Sequence, residues 1–451
     1  MPRLETSSNL SVQLLGRIKR SILMRGIMKL NQEAISFSLD SSEGLNASID
    51  RLISLCGESV QLLGLGEAMH GGEEILILRN RLFQRLVQRH GYSAIAIESS
   101  FPRGRLVNSY VAGRGQPSFD AVEEAGFSHG FGRLEANREL VEWMRQYNAD
   151  PSHPIKLQFY GFDSPTEMCY ADSPGYVLYF VLDYISSLDD ASGKEYRQKI
   201  EPLIGKDSDW EDPATLFDPA RSIGLSPDAK QLRIYVEDLI AELVVRRPEL
   251  IFRSSRERYS EAVHYAQLAR RLLGYHAALA ECSSQRTSRL LGIRDACMAE
   301  NLAYILSQEQ GRGRVLAFAH NSHLQKGSAQ WQFGDELFTW WPAGSHLKEI
   351  LGQRYSVIGS AVIVSDANGI GQPEPGTLEA MLTAMPGPAR FIPTQRMQEY
   401  SALQASALLV RSASAKNPTY FPLTAQSLTD FDWLVALDRV GYSRGGPKLS
   451  G

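Results

Sequence analysis

Four cysteines in 451 residues, none of them in a CxxC pair, give little for a metal or a disulfide framework to use. Cys56, Cys169, Cys282 and Cys297 are too scattered for a zinc knuckle or a dense set of bridges, so a reducing compartment, the cytoplasm, is expected. The most apolar run, Tyr176 to Leu182, falls far short of the roughly 20 residues that cross a bilayer. Near the N-terminus Arg17, Lys19, Arg20 and Arg25 interrupt Leu14, Leu15, Ile18, Ile22 and Leu23, which leaves no signal-peptide core. Neither a membrane span nor secretion is expected. The net charge of −4 provides no concentrated basic surface, so no nucleic-acid partner is expected either. Two catalytic signatures are also missing. There is no GxSxG elbow, which disfavours a serine esterase, and Gly64-Leu65-Gly66 lacks the rest of a dinucleotide fingerprint.

What is present is a globular balance, 43% hydrophobic and 22% charged, and a repeating pattern. Short β-rich runs ending in polar residues, Val60 to Glu67, Tyr92 to Ser99 and Lys156 to Asp163, are each followed by helix-like segments. The first helix spans about Gly71 to Arg89, with Ile75, Leu78, Leu82 and Leu86 on one face and a stop at His90-Gly91. A second runs from about Leu134 to Tyr147. Continuous apolar strands alternating with helices predict an α/β fold: a mostly parallel central sheet flanked by helices. Between Tyr170 and Gln310 only helical patterns occur, including one that starts at Ser226-Pro227 and stops at Pro248. They read as a large helical insertion forming a lid. Strands return at Arg314 to Ala319 and Tyr355 to Val364, then weakly at Ala389 to Pro393, Ala407 to Arg411 and Trp433 to Leu437. The expected organisation is an N-terminal leader over 1–45, helical or poorly packed, then a catalytic core in two parts, 46–169 and 311–440. The insertion over 170–310 separates them, and a frayed tail covers 441–451.

In an open α/β sheet, ligands bind beyond the carboxyl ends of the strands. That edge collects Glu67 and His70 after the first strand, Glu98 after the second, Asp163 after the third, and His320 and His323 after the strand that follows the insertion. An imidazole can take a proton from water near neutrality, and a carboxylate beside it fixes its tautomer, so His70 with Glu98 suits a general base. Glu98 ends an otherwise apolar strand, where a carboxylate is costly unless paired. His320 and His323 have HxxH spacing, which serves either a metal or hydrogen-bonding work. Residues three apart on a strand point to opposite faces, so both face the crevice only if the strand has ended by Asn321. Arg79 on the first helix is read either as a solvated surface charge or, functionally, as an inward cation paired with Glu74 or Glu98.

At these residues the sequence resembles the erythromycin esterase family. The matching text is GEAMHGGEE at Gly66 to Glu74, AIAIES at Ala94 to Ser99, and AHNSH at Ala319 to His323. VEWMRQYN, YGFDS, RDACMAEN and PAGSHLKEILGQRY add support, so the resemblance covers roughly residues 46 to 440. It implies a sheet core related to the esterase/haem-uptake-protein fold, a cleft covered by helices, and hydrolysis of a macrolide lactone without an obligatory metal or cofactor. By that resemblance His70 is the base and Glu98 its orienting partner. Glu67, Glu74, Arg79, His320 and His323 then belong to the reaction centre, with His320 or His323 and Arg79 stabilising the oxyanion. Met69 and Gly72 depart from the family's small hydroxyl residues, and the insertion is expected to choose the substrate, a macrolide, a lactone or another natural product. The same acid–base set would also serve acyl transfer, cyclisation or elimination on a natural product. A non-enzymatic reading is a protein of this fold that binds haem or a small ligand through His70 or His320.

Overall fold

The computed structural model describes residues 33–166, 171–395 and 408–447. Its strands are β1 (Ile35–Phe37), β2 (Leu62–Glu67), β3 (Tyr92–Ser100), β4 (Gln158–Asp163), β5 (Arg314–His320), β6 (Ala329–Phe333), β7 (Glu336–Trp340), β8 (Tyr355–Val364), β9 (Ala389–Pro393) and β10 (Trp433–Arg439). Eight of them form one sheet in the order β1-β9-β10-β8-β2-β5-β3-β4, while β6 and β7 make a separate hairpin. From β10 across to β4 every neighbouring pair is parallel; β9 and β1 add an antiparallel edge.

Alternation along each strand divides the apolar residues between two cores. Ala94, Ala96, Ala317 and Ala319 face one side of the sheet. Ile95, Ile97, Leu316 and Phe318 face the other. The bulky side is covered by α1 (Ser42–Cys56), α2 (Glu73–His90), α3 (Phe101–Val111) and α4 (Glu135–Ala149), which bury Leu52, Leu82, Val107 and Leu140 there. The small-residue side leaves room for the helical block: α5 (Pro174–Leu188), α6 (Asp190–Ile204), α7 (Pro227–Val245), α8 (Arg247–Arg253), α9 (Arg256–Leu279) and α10 (Arg286–Gln308). Leu178, Leu239, Leu272 and Leu302 of these helices share one core with the sheet alanines, so the insertion packs on the sheet as a layer. α11 (Asn321–Leu324) and α12 (Ala343–Leu351) follow β5 and the hairpin.

Helix α2 stops at Gly91, whose φ of 68° is the left-handed cap conformation that glycine adopts without a Cβ penalty. Several expectations need correction. Helix α7 ends at Val245, and Pro248 lies in the first turn of α8, where its missing N–H costs nothing. Of the strand expected over 407–411, Ala407 lies outside the described residues, and the rest makes only a bridge from Leu409 to Thr377. Residues 1–32 of the expected leader also lie outside the described residues; 35–37 form the edge strand and Ser42 starts a capped helix. Residues 441–447 do not fray. Gly441, Ser443 and Arg444 bond to the loop and first turn of α2, through Gly71, Glu73 and Glu74.

Candidate active site

The site forms where β2, β3, β4 and β5 end side by side. Glu67 and His320 are register partners on β2 and β5, and Ser100 and Asp163 on β3 and β4. The β3–β4 pairing slips between Ile97 and Ser100. Glu98 therefore sits in an irregular stretch of the kind that re-aims a side chain. Gly66 brings α11 close to β2: a Cβ there would stand 2.2 Å from Asn321 Oδ1. Asn321 itself ties β5 to β8, with its Nδ2 donating to Ser360 O and its Oδ1 accepting from Ser360 N. The strand does end at His320, and both imidazoles of the HxxH pair fall within the site.

His70 is the exposed member, with 26% of its side chain open. Its backbone N–H donates to Thr419 Oγ1, and its carbonyl accepts from Asn417 Nδ2. Its Nδ1 lies 2.7 Å from Glu67 Oε1, while its Nε2 is 4.0 Å from Glu98 Oε1. The tautomer-fixing carboxylate is thus Glu67; Glu98, expected in that role, faces the opposite nitrogen. Burial works against the charged imidazole, but the charge of Glu98 and the bond to Glu67 outweigh it and raise the pKa of His70 above its ordinary value. Burial raises Glu67 as well, against the pull of His70, and its Oε2 has no hydrogen-bond partner.

Behind His70 lies a buried ionic lattice. Glu98 accepts from the backbone N–H of His320 at 2.7 Å and from Arg294 Nη2 at 3.0 Å, and lies 3.3 Å from His323 Nε2. Burial alone would raise its pKa, yet the charges of His323, His70 and Arg294 hold it well below the usual range. Arg294 also donates to both oxygens of Asp163, at 2.9 and 2.6 Å. The second oxygen of Asp163 meets His129 Nε2 at 3.0 Å. His129 takes a left-handed φ of 57°, unusual for a residue with a Cβ, and its ring and that of His70 both contact Phe131.

His320, which ends β5, and His323 are shifted in opposite directions. His320 Nε2 meets the carbonyl of Thr419 at 2.9 Å and Nδ1 accepts from the Ser322 backbone N–H at 3.2 Å; burial and the charge of His70 push its pKa down to about 3. His323 has a carboxylate at each nitrogen, Asp295 Oδ1 at 2.9 Å and Glu98 at 3.3 Å. Against the burial cost these lift its pKa to about 10. The nitrogens of both rings therefore already have partners within the protein. Among the described residues no three His, Cys, Asp or Glu side chains are gathered as a metal-holding set.

Arg79 is buried but pairs with neither Glu74 nor Glu98. Its guanidinium donates to Asn80 Oδ1, Asn137 Oδ1 and Ala136 O and covers the Phe318 ring. Glu74 accepts from the backbone N–H of Gly441 and fastens the C-terminal segment. Both residues support the site without facing it. Sequence reasoning gave no role to Arg294, Asp295, His129 or Thr419. A buried-face Asp295 next to Arg294 on the helix after the insertion's last loop and a histidine between Ser128 and Gly130 were usable signals; Thr419 carries none.

The profile of the erythromycin esterase family matches residues 87–440. Erythromycin esterase type II of Escherichia coli is 24% identical over 335 residues, 72% of this chain and 74% of that protein. The type I enzyme of Escherichia coli is 23% identical over 309 residues, 66% of this chain and 69% of that protein. Among solved structures, a Bacillus cereus protein has a TM-score of 0.73 at 19% identity, covering 94% of this chain and 99% of that one. A mutant erythromycin esterase in its open conformation has a TM-score of 0.64 at 17% identity, covering 88% and 95%. The last two show the fold.

Proposed function

Because this chain belongs to the erythromycin esterase family, an esterase-like hydrolase at family level, we propose that it cleaves an ester or macrolactone with water activated by His70. The observation that carries this reading is the pair of contacts on one ring: Nδ1 lies 2.7 Å from Glu67 Oε1, which in the neutral ring calls for the proton on Nδ1 and leaves the Nε2 lone pair on the Glu98 side. The 4.0 Å gap from Nε2 to Glu98 is too long for a direct hydrogen bond but suits one water bound to both. His70 removes a proton from that water, and the hydroxide adds to the carbonyl carbon. Collapse of the tetrahedral intermediate expels the alkoxide, which takes the proton back from His70.

Arg294 replaces His320, His323 and Arg79 as the proposed oxyanion partner. Its Nε and Nη2 are fixed by Asp163 and Glu98, whereas Nη1 has no hydrogen bond within the described protein. A cation held in place before the reaction costs no reorganisation when charge develops. The reaction is proposed to need no metal, since the nitrogens of His320 and His323 are already committed. A small natural-product substrate follows from the relatives' names, and the helical layer that supplies Arg294 is proposed to select it. No described helix is long and apolar enough to cross a membrane. A cytoplasmic setting is proposed from the unpaired Cys56, Cys282 and Cys297.

The test is single-turnover cleavage of erythromycin and of aryl esters in heavy-oxygen water, with quenched protein examined by mass spectrometry. The label should enter the product acid with no acyl-enzyme formed, and His70→Gln should remove turnover while retaining the fold. A trapped acyl adduct or an active His70→Gln variant would overturn the mechanism.

A further inference from the structure

Asp295 lies fully buried on α10, one residue beyond Arg294. Its carboxylate is filled by three donors. Oδ1 accepts from His323 Nδ1 at 2.9 Å and from the backbone N–H of Ala343 at 2.9 Å. Oδ2 accepts from the indole N–H of Trp340 at 2.7 Å. Trp340 ends strand β7 and Ala343 starts α12, so three elements converge on one anion that the proposed chemistry does not use.

The consequence lies in the ring between two carboxylates. An imidazole with one proton would direct a lone pair at either Asp295 or Glu98, and both contacts become attractive only when each nitrogen carries hydrogen. We propose that Asp295 is a positioning residue. Through His323 it fixes an N–H on the Glu98 side, and so holds the Glu98 carboxylate aimed at the Nε2 edge of His70 with a second positive charge behind it. The hairpin β6–β7 then belongs to the functional apparatus through one indole N–H, although it stands outside the main sheet.

Other charges act on the same groups. Arg294 of α10 and the backbone N–H of His320 also hold Glu98; Arg294, His320 and His70 lie around His323; and Glu67 faces His70 from β2. Arg294 alone could keep Glu98 ionised. What Asp295 adds is the charge of His323, which lowers the pKa of His70. Loss of that charge should make His70 harder to deprotonate.

The experiment combines NMR of protein carrying isotope-labelled histidine with pH–rate profiles for an aryl ester. The kinetic arm rests on the hydrolytic reading above, whereas the NMR arm reads His323 whether or not the protein hydrolyses anything. In the native protein one imidazole, assigned by its disappearance in His323→Gln, should remain doubly protonated at about pH 8, well above the ordinary histidine value. In Asp295→Asn the amide can accept from His323 only by turning its NH₂ toward Trp340. That signal should become neutral, kcat should fall about tenfold or more with KM little changed, and the acid limb should move to higher pH. Trp340→Phe, which deletes only the indole donor, should do the same in smaller degree. A native His323 that is neutral at about pH 8 overturns the proposal, even if Asp295→Asn does not fold. So does an Asp295→Asn protein that is less stable but keeps the imidazolium signal and the native pH limb.

Discussion

The proton on His70 is governed by two carboxylates with different jobs. Glu67 holds Nδ1–H and sets the tautomer, while Glu98 acts across a gap on the other side. Both raise the pKa of His70, so a base at this position is silenced by protonation over a wider range than a free histidine. The rate should rise with pH along a limb above about 6.5. Glu67→Gln removes the negative charge, and the acid limb of kcat/KM should move to lower pH. The plateau should fall roughly 10- to 100-fold because the ring loses its orientation. An unmoved limb in a pH–rate series would count against Glu67 as the partner. His70, Glu67 and Glu98 were legible because each stands at the end of an apolar strand, where a polar group must be functional or paired. The exchange of roles between Glu67 and Glu98 was not, because it depends on the register of β2 against β5 and the slip in β3. Arg79 misled for a related reason: helical spacing places it inward, but only the neighbouring Asn80 and Asn137 reveal that its donors are spent. Gly66 leaves no room for a Cβ beside Asn321, and Gly66→Ala should destabilise by about 1–3 kcal/mol in chemical denaturation as Asn321 is pushed away.

Parallel strands buried on both faces leave an unbroken apolar signature, and β2, β3, β4, β5 and β8 were found within a residue or two for that reason. The hairpin β6–β7 and the short β1 were not. The hairpin sequence AQWQFGDELFTW mixes exposed aromatics with polar residues, and polar bonds tie it to the distant helix α10, from the Trp340 indole to Asp295 and from the Thr339 backbone N–H to Ser288 Oγ. The segment 441–447 looked frayed because glycine, serine and arginine carry no apolar pattern. What orders it is polar: Glu73 N donates to Gly441 O, Ser443 N to Gly71 O, and Arg444 reaches Glu73 and Glu139. Arg444 is half exposed, so its ion pairs contribute less than about 1 kcal/mol; the backbone bonds matter more because they hold the loop after His70. Truncation after Val440 should lower the melting temperature and reduce kcat together. A truncated protein with native kcat would show that the loop holds its shape unaided.

Over the whole molecule, buried histidines make stability depend on pH in two opposite ways. His264, His276 and His320 are pushed by burial to about 3, 4 and 3. As the pH drops below about 6.5 the unfolded chain binds protons that these folded sites refuse, so stability is lost at up to about 1.4 kcal/mol per pH unit for each. His323, raised to about 10, contributes stability that is complete below about 6.5 and is lost as the pH rises toward 10. Melting temperatures should therefore peak near neutrality and fall already between about pH 6.5 and 5, above the range where most carboxylates protonate. His264→Gln should flatten the acid slope, whereas a melting temperature constant down to about pH 5 would contradict the neutral assignments.

The strand order also sets a sequence of events during biosynthesis. β5 lies between β2 and β3, yet more than two hundred residues of chain separate it from either. Until Arg314–His320 has been made, β2 and β3 have no shared neighbour, and a nascent chain that already holds the helical block carries β2 unpaired on both edges, since β8 also comes later, and β3 unpaired on one. Such long-range insertion folds slowly, and its waiting state is prone to aggregate. The residues proposed to carry the reaction meet only when that slot is filled, so the site is assembled late, after the helical block has been made.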